Sequence, residues 1–350
     1  MANTVIDLVK NRYHYEMNRY KSLQQFLSPH FEDEVYQLAA ITGDASFRRY
    51  FRLNSGQESY IVMDSDPTKL DNTPYIELNK VFSEHGFKLP KILHADEKQG
   101  FFLLSDLGNV HLADMLDDKE RINHYKHLIK LSAQWAKMPA VEHMKDFDRA
   151  FLELELGIFL QWLVEAFLQL KITPAERLLW QASCELLIAN VLAQPSVTVH
   201  RDFHSRNIMR SEQQWAIIDY QDAVQGPVCY DLVSLLRDCY FKLPHDELEY
   251  LLEHAFSEFE QQGLISNISF TTFKQWFDLT GIQRHLKAAG IFCRLNLRDG
   301  KPGYMDNVLP TLHYISDVAQ DHPSLMELGL WIKNTIIPAT IVALDKAPDK

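Results

Sequence analysis

The spacing of apolar and polar residues changes character about a third of the way along the chain. Between residues 36 and 105, short segments of strand length, rich in apolar and aromatic residues, are separated by turn residues or by one helix. From Val110 onward, apolar residues recur every three to four positions, which is the period of a helix packed on one face. The pattern therefore predicts an α+β fold in which a small sheet comes first and a mostly helical region follows.

Five such segments can be distinguished. They are residues 36–41, 47–53 and 59–64, a fourth segment that ends before the turn at residues 96–100, and a fifth at residues 101–104. A helix at residues 2–27 precedes them, and a helix at residues 73–85 divides the third from the fourth. Short strands joined by tight turns pair antiparallel, so the expected unit is a five-stranded antiparallel sheet.

The residues Ser105-Asp106-Leu107-Gly108 mark the change from strands to helices and predict a hinge. A chain of 350 residues is long enough for two such units. We therefore expect a small N-terminal lobe over residues 1–107 and a helical C-terminal lobe over residues 108–350. Within the second lobe, Thr173 and Glu176 predict a capping box ahead of an apolar helix that runs to residue 192.

The overall composition narrows the possible partners. Hydrophobic residues make up 46% of the chain and the net charge is −12, which disfavours nucleic-acid binding because that depends on a basic surface. The first residues are amphipathic and charged, and no apolar run approaches the ~20 residues of a membrane span. Four cysteines without Cys-x-x-Cys spacing indicate buried thiols in a reducing compartment. We expect a cytoplasmic protein with no membrane segment and no obligate protein partner.

One polar stretch, VTVHRDFHSRNIMRSEQQWAIIDYQD at residues 197–222, carries side chains suited to phosphoryl transfer. Asp202 is followed by Asn207 five positions later and by Asp219 at the end of an apolar run. Phosphoryl transfer needs a carboxylate that orients the acceptor hydroxyl and accepts its proton, and oxygen ligands for Mg²⁺ on the nucleotide phosphates. The spacing matches the H-R-D-x-x-x-x-N catalytic loop of kinases. Asp202 is therefore the candidate base, and Asn207 and Asp219 are the candidate metal ligands.

A second polar segment, Thr42-Gly43-Asp44-Ala45-Ser46, lies between the first two predicted strands. Its small side chains, and the freedom of Gly43 to adopt positive φ, would let backbone N–H groups approach phosphate oxygens. A Gly-Asp turn between strands is also common without any ligand, so the loop by itself is a weak signal. Its position upstream of the catalytic stretch favours a phosphate-binding role.

These motifs together resemble those of the aminoglycoside phosphotransferase and choline kinase superfamily. HRDFHSRNIM, IIDYQD and GPVCYDLVSLLRD are similar to its catalytic, metal-binding and bracing motifs. We expect Asp231, in the third motif, to be held by backbone N–H groups at the start of its own helix and to brace the catalytic loop. GDASFRRYFR, YIVMDS, GFFLLSDLG and QRHLKAAGIFCRLNLRDGKPGY narrow the resemblance to the bacterial anomeric kinases of N-acetylmuramate and N-acetylglucosamine.

The resemblance implies a protein-kinase-like, two-lobe fold that binds ATP and Mg²⁺ and places phosphate on the anomeric oxygen of an amino sugar, as part of peptidoglycan recycling. Carried over by position, it implies Asp202 as the base and Asn207 and Asp219 as the Mg²⁺ ligands. It also implies nucleotide contacts at Gly43, Asp44, Ala45, Ser46 and Phe47, and at the backbone near Ser105 and Leu107.

One position departs from the family pattern. Met63 stands where a lysine usually reaches the nucleotide phosphates, so a positive charge would have to come from elsewhere. The second strand offers Arg48, Arg49 and Arg52, of which Arg49 shares a face with Phe47 while the other two lie on the opposite face. The sequence does not decide which face meets ATP. We expect Arg49 to contact the nucleotide, with surface charges on an outer strand as the alternative.

A segment at residues 280–304 is positively charged, in contrast to the negative net charge of the whole chain. Arg284, Lys287, Arg294 and Arg298 fall within a sector of about 80° on a helix that turns about 100° per residue. Such a stripe would attract an acceptor that carries a carboxylate, as N-acetylmuramate does, and repel a polycationic aminoglycoside. Arg294, Arg298 and the neighbouring Asp299 are therefore candidate acceptor contacts, and a solvated helix face is the alternative.

Other functions remain compatible with the residues. A kinase of another small hydroxyl compound, such as choline, homoserine or an aminoglycoside, would carry the same catalytic motif. A catalytically silent nucleotide-binding module would explain Met63, but the joint presence of Asp202, Asn207 and Asp219 disfavours it. A protein kinase is disfavoured because the sequence has no Gly-x-Gly-x-x-Gly loop and nothing resembling the Asp-Phe-Gly and Ala-Pro-Glu landmarks.

Overall fold

The structure, a computed structural model, describes residues 17–31, 35–41, 47–117 and 119–346. The chain divides into two compact units, Met1–Gly108 and Asn109–Lys350. The first contains a five-stranded sheet and the second is mostly helical. The predicted α+β class is therefore confirmed.

The first unit is built on an antiparallel sheet with the strand order β1-β2-β3-β5-β4. The strands are β1 (Tyr36–Ile41), β2 (Arg49–Ser55), β3 (Glu58–Asp64), β4 (Ile92–Asp96) and β5 (Phe101–Ser105). β2 begins and ends two residues later than predicted, because the chain reverses at Gly56, whose φ of 57° suits a residue without a Cβ atom. The predicted five-stranded antiparallel sheet is confirmed.

Two helices accompany this sheet. The first, α1, is helical over residues 17–27 and is followed by a 3₁₀ turn at Ser28–His30, where Pro29 cannot continue the helix. The earlier part of this predicted helix lies outside the described residues. The second, α2 (Thr73–Glu84), begins one residue before Pro74. Apolar residues of α1 pack on one face of the sheet, in a cluster that includes Leu23, Leu27, Leu53, Val62, Phe101 and Leu103.

The second unit is dominated by helices, many of which contribute to a shared apolar core. They include α3 (Arg121–Ala136), α4 (Arg149–Ile158), α5 (Pro174–Leu192), α6 (Tyr230–Leu236), α7 (His245–Gln261), α8 (Phe270–Asp299), α9 (Val308–Gln320), α10 (Met326–Trp331) and α11 (Ile337–Asp345). The predicted capping box is present at the start of α5: Thr173 Oγ1 accepts the Glu176 N–H at 3.2 Å, and the Glu176 carboxylate accepts the Thr173 N–H at 2.7 Å. This reciprocal cap satisfies two N–H groups that the helix itself cannot pair.

Short strands in the second unit frame the polar stretch at residues 197–222. They are β6 (Lys145–Asp146), β7 (Ser196–Val199), β8 (Ile208–Ser211), β9 (Gln214–Ile217) and β10 (Val224–Pro227). β6, β10 and β7 form one small sheet, and β8 and β9 form a separate hairpin. The hairpin turn is made by Glu212 and Gln213, whose φ values of 48° and 64° are those of a two-residue turn that follows the twist of the strands.

The apolar core also accounts for the C-terminal stretch and for the cysteines. Pro323–Asp345 is the one helical stretch of the described residues that is long and apolar enough to cross a membrane, and 44% of its apolar window is buried inside the protein. Its Ile332 and Ile336 belong to the main core cluster, so this packing explains its composition. All four cysteines are free thiols; three are buried, as predicted, and Cys184 is half-buried.

Candidate active site

The candidate catalytic loop, residues 200–207, leaves β7 and enters β8, and a buried histidine holds its first turn. His200 is fully buried, and burial lowers its pKa to about 4, so the ring is neutral near pH 7. Its Nε2–H donates to the Ile218 carbonyl at 3.0 Å, and its Nδ1 accepts the Asp202 N–H at 3.3 Å. The neutral ring therefore joins the loop to the end of β9, next to Asp219.

Asp231, at the start of α6, braces the same loop. Its carboxylate accepts the N–H of His200 at 2.7 Å and the N–H of Arg201 at 3.0 Å. Arg201 has a φ of 77°, a conformation that non-glycine residues rarely adopt, and the two hydrogen bonds stabilise it there. Burial raises the pKa of Asp231 to about 7, while these two N–H groups favour the charged form. The predicted bracing role is confirmed, but the partners are N–H groups of the catalytic loop rather than of the Asp231 helix.

Asn207 and Asp219 lie at the same end of the β8–β9 hairpin. Ile208 pairs with Ile217 in the register of the hairpin, so the residues just outside this pair are neighbours. The Ile218 N–H donates to the Asn207 carbonyl at 3.0 Å and extends the pairing by one step. Asp219 then turns the chain with a φ of 65°. The hairpin thus brings together two residues that are twelve positions apart in the sequence.

These two side chains have oxygen atoms suited to Mg²⁺. The amide group of Asn207 donates to the Asp202 carbonyl at 3.0 Å, which leaves the Asn207 side-chain oxygen to bind a cation. Asp219 contributes a carboxylate, one oxygen of which accepts from Gln221 at 2.7 Å. Within the described ranges no group of three or more His, Cys, Asp or Glu residues could hold a metal by itself. An amide and a carboxylate fit Mg²⁺, which takes few protein ligands and completes its shell with water and phosphate oxygens.

Positive charges surround Asp202, the candidate base. Burial alone would raise the pKa of this carboxyl, but the charges of Lys287, Arg201 and Arg284 outweigh burial and hold the pKa well below its ordinary range. His204 contributes in the same direction. Asp202 is therefore ionised across the physiological pH range, which is the state that a hydrogen-bond acceptor and proton acceptor needs.

A buried ion-pair network fixes two of these cations. The Glu155 carboxylate on α4, 2% exposed, meets Arg201 Nη2 at 2.8 Å and Lys287 Nζ at 3.0 Å, and it accepts from Gln283 at 3.0 Å. α8 approaches α4 closely because of Gly290, where an added Cβ atom would lie 2.5 Å from the Ile158 carbonyl oxygen. The network thus ties Arg201 of the candidate catalytic loop to Lys287 of α8 through one carboxylate.

The sequence did not single out Glu155. It occurs in the segment LELELGIF, in which Glu153 is exposed and Glu155 is buried. The two glutamates have nearly the same neighbours in sequence, but helical periodicity places Glu155 on the same face as Leu152, Leu156 and Phe159. A carboxylate on the apolar face of a predicted helix was the available signal, because such a group needs a partner when it is buried.

The predicted basic stripe lies on one continuous helix, α8, but its members have different surroundings. Arg284 and Lys287 are buried, whereas Arg294 is half-buried and Arg298 is exposed. Within the part of the chain that the structure describes, the hydrogen bonds and ion pairs of Arg298 go to Asp299, with a shortest distance of 2.8 Å. The stripe thus divides into a buried half that acts on Asp202 and an outer half. Acceptor binding by Arg294, Arg298 and Asp299 stays a prediction.

The predicted nucleotide contacts of the first unit are only partly described. Residues 43–46 lie outside the described residues, and Phe47 is 70% exposed. The Arg49 guanidinium forms an ion pair with the buried Asp64, which Arg19 also contacts. The Ser105 N–H donates to the Lys91 carbonyl at 2.9 Å, and Leu107 is buried. ATP binding by these residues stays a prediction.

Met63 lies on β3, as predicted, and is fully buried opposite Phe102 of β5. A thioether there fills the interior of the sheet and supplies no charge. Arg52, on the adjacent β2, pairs with Asp106 at 2.7 Å and donates to the Gly108 carbonyl at 3.0 Å. This arginine therefore holds the segment that follows β5.

Comparison with known proteins places this site in a family. A model described as the phosphotransferase enzyme family matches residues 37–263. The chain is 34% identical over 313 residues to an N-acetylmuramate/N-acetylglucosamine kinase of Pseudomonas putida, covering 88% of this chain and 92% of that protein. It is 35% identical over 317 residues to a protein of the same name from Neisseria meningitidis serogroup B, covering 89% of this chain and 94% of that protein.

Solved structures share the fold at low sequence identity. The choline kinase of Streptococcus pneumoniae superposes with a TM-score of 0.60 at 12% identity, over 86% of this chain and 99% of that one. A spectinomycin phosphotransferase, solved with ADP and spectinomycin, superposes with a TM-score of 0.56 at 14% identity, over 89% of this chain and 98% of that one. These likenesses confirm the predicted kinase-like fold.

The motifs and the comparisons agree over the same residues. The matched range includes the catalytic loop, the hairpin that carries Asn207 and Asp219, and the brace at Asp231. The two curated relatives extend the agreement across most of the chain. The protein therefore belongs to the phosphotransferase enzyme family.

Proposed function

We propose that this protein is an ATP-dependent kinase that phosphorylates the anomeric hydroxyl of N-acetylmuramate and N-acetylglucosamine. The observation that carries the proposal is its similarity, over nearly 90% of the chain, to two curated kinases of these sugars. The arrangement of Asp202, Asn207 and Asp219 supports it, since it supplies an ionised carboxylate and two Mg²⁺ ligands on neighbouring segments. ADP in a spectinomycin phosphotransferase of the same fold supports ATP as the donor.

Asp202 acts on the acceptor. Its carboxylate orients the anomeric hydroxyl through a hydrogen bond and accepts the proton as the new oxygen–phosphorus bond forms. An anomeric hydroxyl is more acidic than an ordinary alcohol, so the main demand on Asp202 is orientation, with proton acceptance late in the reaction. His200 and Asp231 keep the loop in the shape that this orientation requires.

Asn207 and Asp219 hold the divalent cation. Mg²⁺, when bound there, neutralises charge on the nucleotide phosphates. The amide bond from Asn207 to the Asp202 carbonyl couples the metal-binding side chain to the loop that carries the base. The segment from Asp202 to Asn207 therefore sets the distance between the base and the bound cation.

The local charge favours anionic or neutral acceptors. Arg201, Arg284 and Lys287 all act on Asp202 and two of them share one counter-ion, Glu155, so a neutral or anionic acceptor is favoured over a cationic one such as choline or an aminoglycoside. An amino sugar with a carboxylate would be attracted. We place the enzyme in the cytoplasm, where ATP is available and where cell-wall sugars would be recycled, and this agrees with four free thiols.

A panel of acceptors tests the proposal. With ATP and Mg²⁺, ADP release is expected with N-acetylmuramate and N-acetylglucosamine and is expected to be at background with their methyl glycosides, because these lack a free anomeric hydroxyl. Choline, homoserine and an aminoglycoside complete the panel in a coupled assay. Equal rates with a sugar and its methyl glycoside, or a preference for one of the other acceptors, would overturn the proposal.

A further inference from the structure

Arg206, in the catalytic loop directly before Asn207, has an unusual environment. Its guanidinium carbon lies 3.6 Å from the centre of the Tyr240 ring. Among the described residues, no carboxylate lies within 4.0 Å of this guanidinium, whereas Arg201 in the same loop is paired with Glu155. The loop therefore carries one arginine that is neutralised by an ion pair and one that rests on an aromatic ring.

The ring under Arg206 is rigidly attached to the loop. The Asp238 carboxylate, 1% exposed, accepts the Ser205 N–H at 2.8 Å and the Tyr240 N–H at 2.9 Å. The His204 ring meets the Tyr240 ring edge to face, with 5.4 Å between their centres. Three consecutive loop residues thus contact the segment that ends at Tyr240. The position of this ring, and of the guanidinium stacked on it, is fixed relative to Asp202 and Asn207.

A stacked guanidinium is suited to binding an oxyanion. The face of the ring stabilises the positive charge, but all five N–H donors lie in the plane of the guanidinium and point away from the ring. These donors match the two oxygens of a carboxylate or a phosphate. Holding the cation on an aromatic ring instead of a carboxylate leaves its charge available to a ligand.

A second arginine on the other side of the same segment also lacks a carboxylate partner. Arg284 of α8 is 6% exposed, and its Nη1 donates to Cys239 Sγ at 3.8 Å. Within the described ranges no carboxylate lies within 4.0 Å of it. The carboxylates of Asp202 and Asp238 act on this buried cation only at longer range, so an anionic ligand would stabilise it further. The segment from Asp238 to Tyr240 is therefore flanked by two arginines that make no ion pair among the described residues.

We propose that Arg206, positioned by Tyr240, binds an oxyanion of the reacting partners, either the carboxylate of the acceptor or the phosphoryl group in transfer. The inference rests on the proposed function and names a specificity residue within the same site. Arg206 donates two N–H groups to the oxyanion, and Arg284 adds long-range attraction from the interior.

The test compares Arg206→Gln with a matched variant, Arg210→Gln. Arg210 on β8 also stacks on an aromatic ring, with its guanidinium carbon 4.8 Å from the centre of Trp215, but it lies outside the catalytic loop. We expect R206Q to lower kcat/KM about 10-fold to 100-fold, and R210Q to leave it near the wild-type value. A loss confined to N-acetylmuramate identifies the acceptor carboxylate, and an equal loss of kcat with both sugars identifies the phosphoryl group. Values for R206Q within a factor of about two of wild type with both sugars would overturn the inference.

Variants of Tyr240 separate positioning from folding. Tyr240→Leu removes the ring and is expected to reproduce part of the R206Q loss, and Tyr240→Phe, which keeps the ring, is expected to recover most of it. Tyr240→Phe should restore kcat and KM toward wild type while the two tyrosine variants unfold at the same temperature. If Tyr240 only stabilised the fold, the kinetic difference would be accompanied by a difference in unfolding temperature. Equal kinetic defects in both tyrosine variants would remove the positioning role.

A measurement without turnover separates this inference from the proposed function. If the wild-type enzyme phosphorylates neither sugar, the proposed function fails, and calorimetric titration with inorganic phosphate then decides on Arg206. Weaker phosphate binding by R206Q than by wild type and R210Q supports the oxyanion site. Equal phosphate affinity in the three proteins would overturn it.

Discussion

Replacement of Asp202 by asparagine is expected to lower turnover by about 10²-fold to 10⁴-fold, the usual contribution of a positioned general base. Asparagine keeps the size of the side chain and its place beside Asn207, but it removes the negative charge that orients and deprotonates the acceptor. ATP affinity should change little because Asp202 is not a proposed nucleotide contact. Steady-state ADP release and calorimetric titration with ATP measure the two effects separately.

The matched control is Asp317→Asn on α9. Asp317 is an exposed aspartate whose ion pair with Lys242 is 3.9 Å long, and such pairs contribute little. This variant should keep the wild-type turnover. Near-normal turnover in Asp202→Asn would remove the assignment of Asp202 as the base.

Replacement of Glu155 by glutamine is expected to reduce the free energy of unfolding by about 3–5 kcal/mol. Glutamine leaves the half-buried Arg201 and the buried Lys287 without the carboxylate that neutralises both of them. The cost therefore comes from uncompensated charge, and it should be accompanied by lower turnover because both cations act on Asp202. Urea unfolding at pH 7 measures the change in stability.

Two controls isolate this network. Glu153→Gln, two residues earlier on α4, alters an exposed pair with Arg149 at 3.6 Å and should change stability by no more than about 0.5 kcal/mol. A double-mutant cycle with Lys287→Met should give a coupling energy, because the second substitution removes one of the orphaned charges. Destabilisation by Glu155→Gln no larger than by Glu153→Gln would contradict the network.

The same network predicts a pH dependence. Burial alone would raise the pKa of Glu155, but Lys287 and Arg201 outweigh burial and lower it below its ordinary value of 4.5. The carboxylate thus contributes stability that is fully present above about pH 4.5 and is lost as the pH falls through the lower folded-state pKa. The stability difference between wild type and Glu155→Gln should accordingly narrow in acid, and urea unfolding between pH 7 and pH 3 measures it.

Features set by residues close together in the sequence were predictable. Short apolar segments bounded by turn residues located the strands of the sheet, and β1 has the predicted bounds, Tyr36–Ile41. The spacing from Asp202 through Asn207 to Asp219 matched the catalytic loop of kinases and identified the candidate base and metal ligands. The β8–β9 hairpin, with its two-residue turn, brings Asn207 and Asp219 together. Sequence patterns were sufficient to predict these features because the residues in contact are close together in the sequence.

Features set by distant residues were not predictable. Glu155 and Lys287 are on different helices, and only the close packing of α4 on α8 at Gly290 brings them together. Periodicity placed the basic residues on one stripe of a helix, but α8 is buried on most of its surface, so the stripe has no single environment. The stacking of Arg206 on Tyr240 likewise depends on the fold rather than on sequence spacing.

The position of the transferred phosphate tests the central claim most directly. Phosphorus NMR of the product from N-acetylglucosamine, ATP and Mg²⁺ is predicted to show a sugar 1-phosphate, with its signal split by the anomeric proton, and the signal should be nearly absent with Asp202→Asn. Formation of a 6-phosphate, or of the 1-phosphate at equal rates by wild type and Asp202→Asn, would contradict the account.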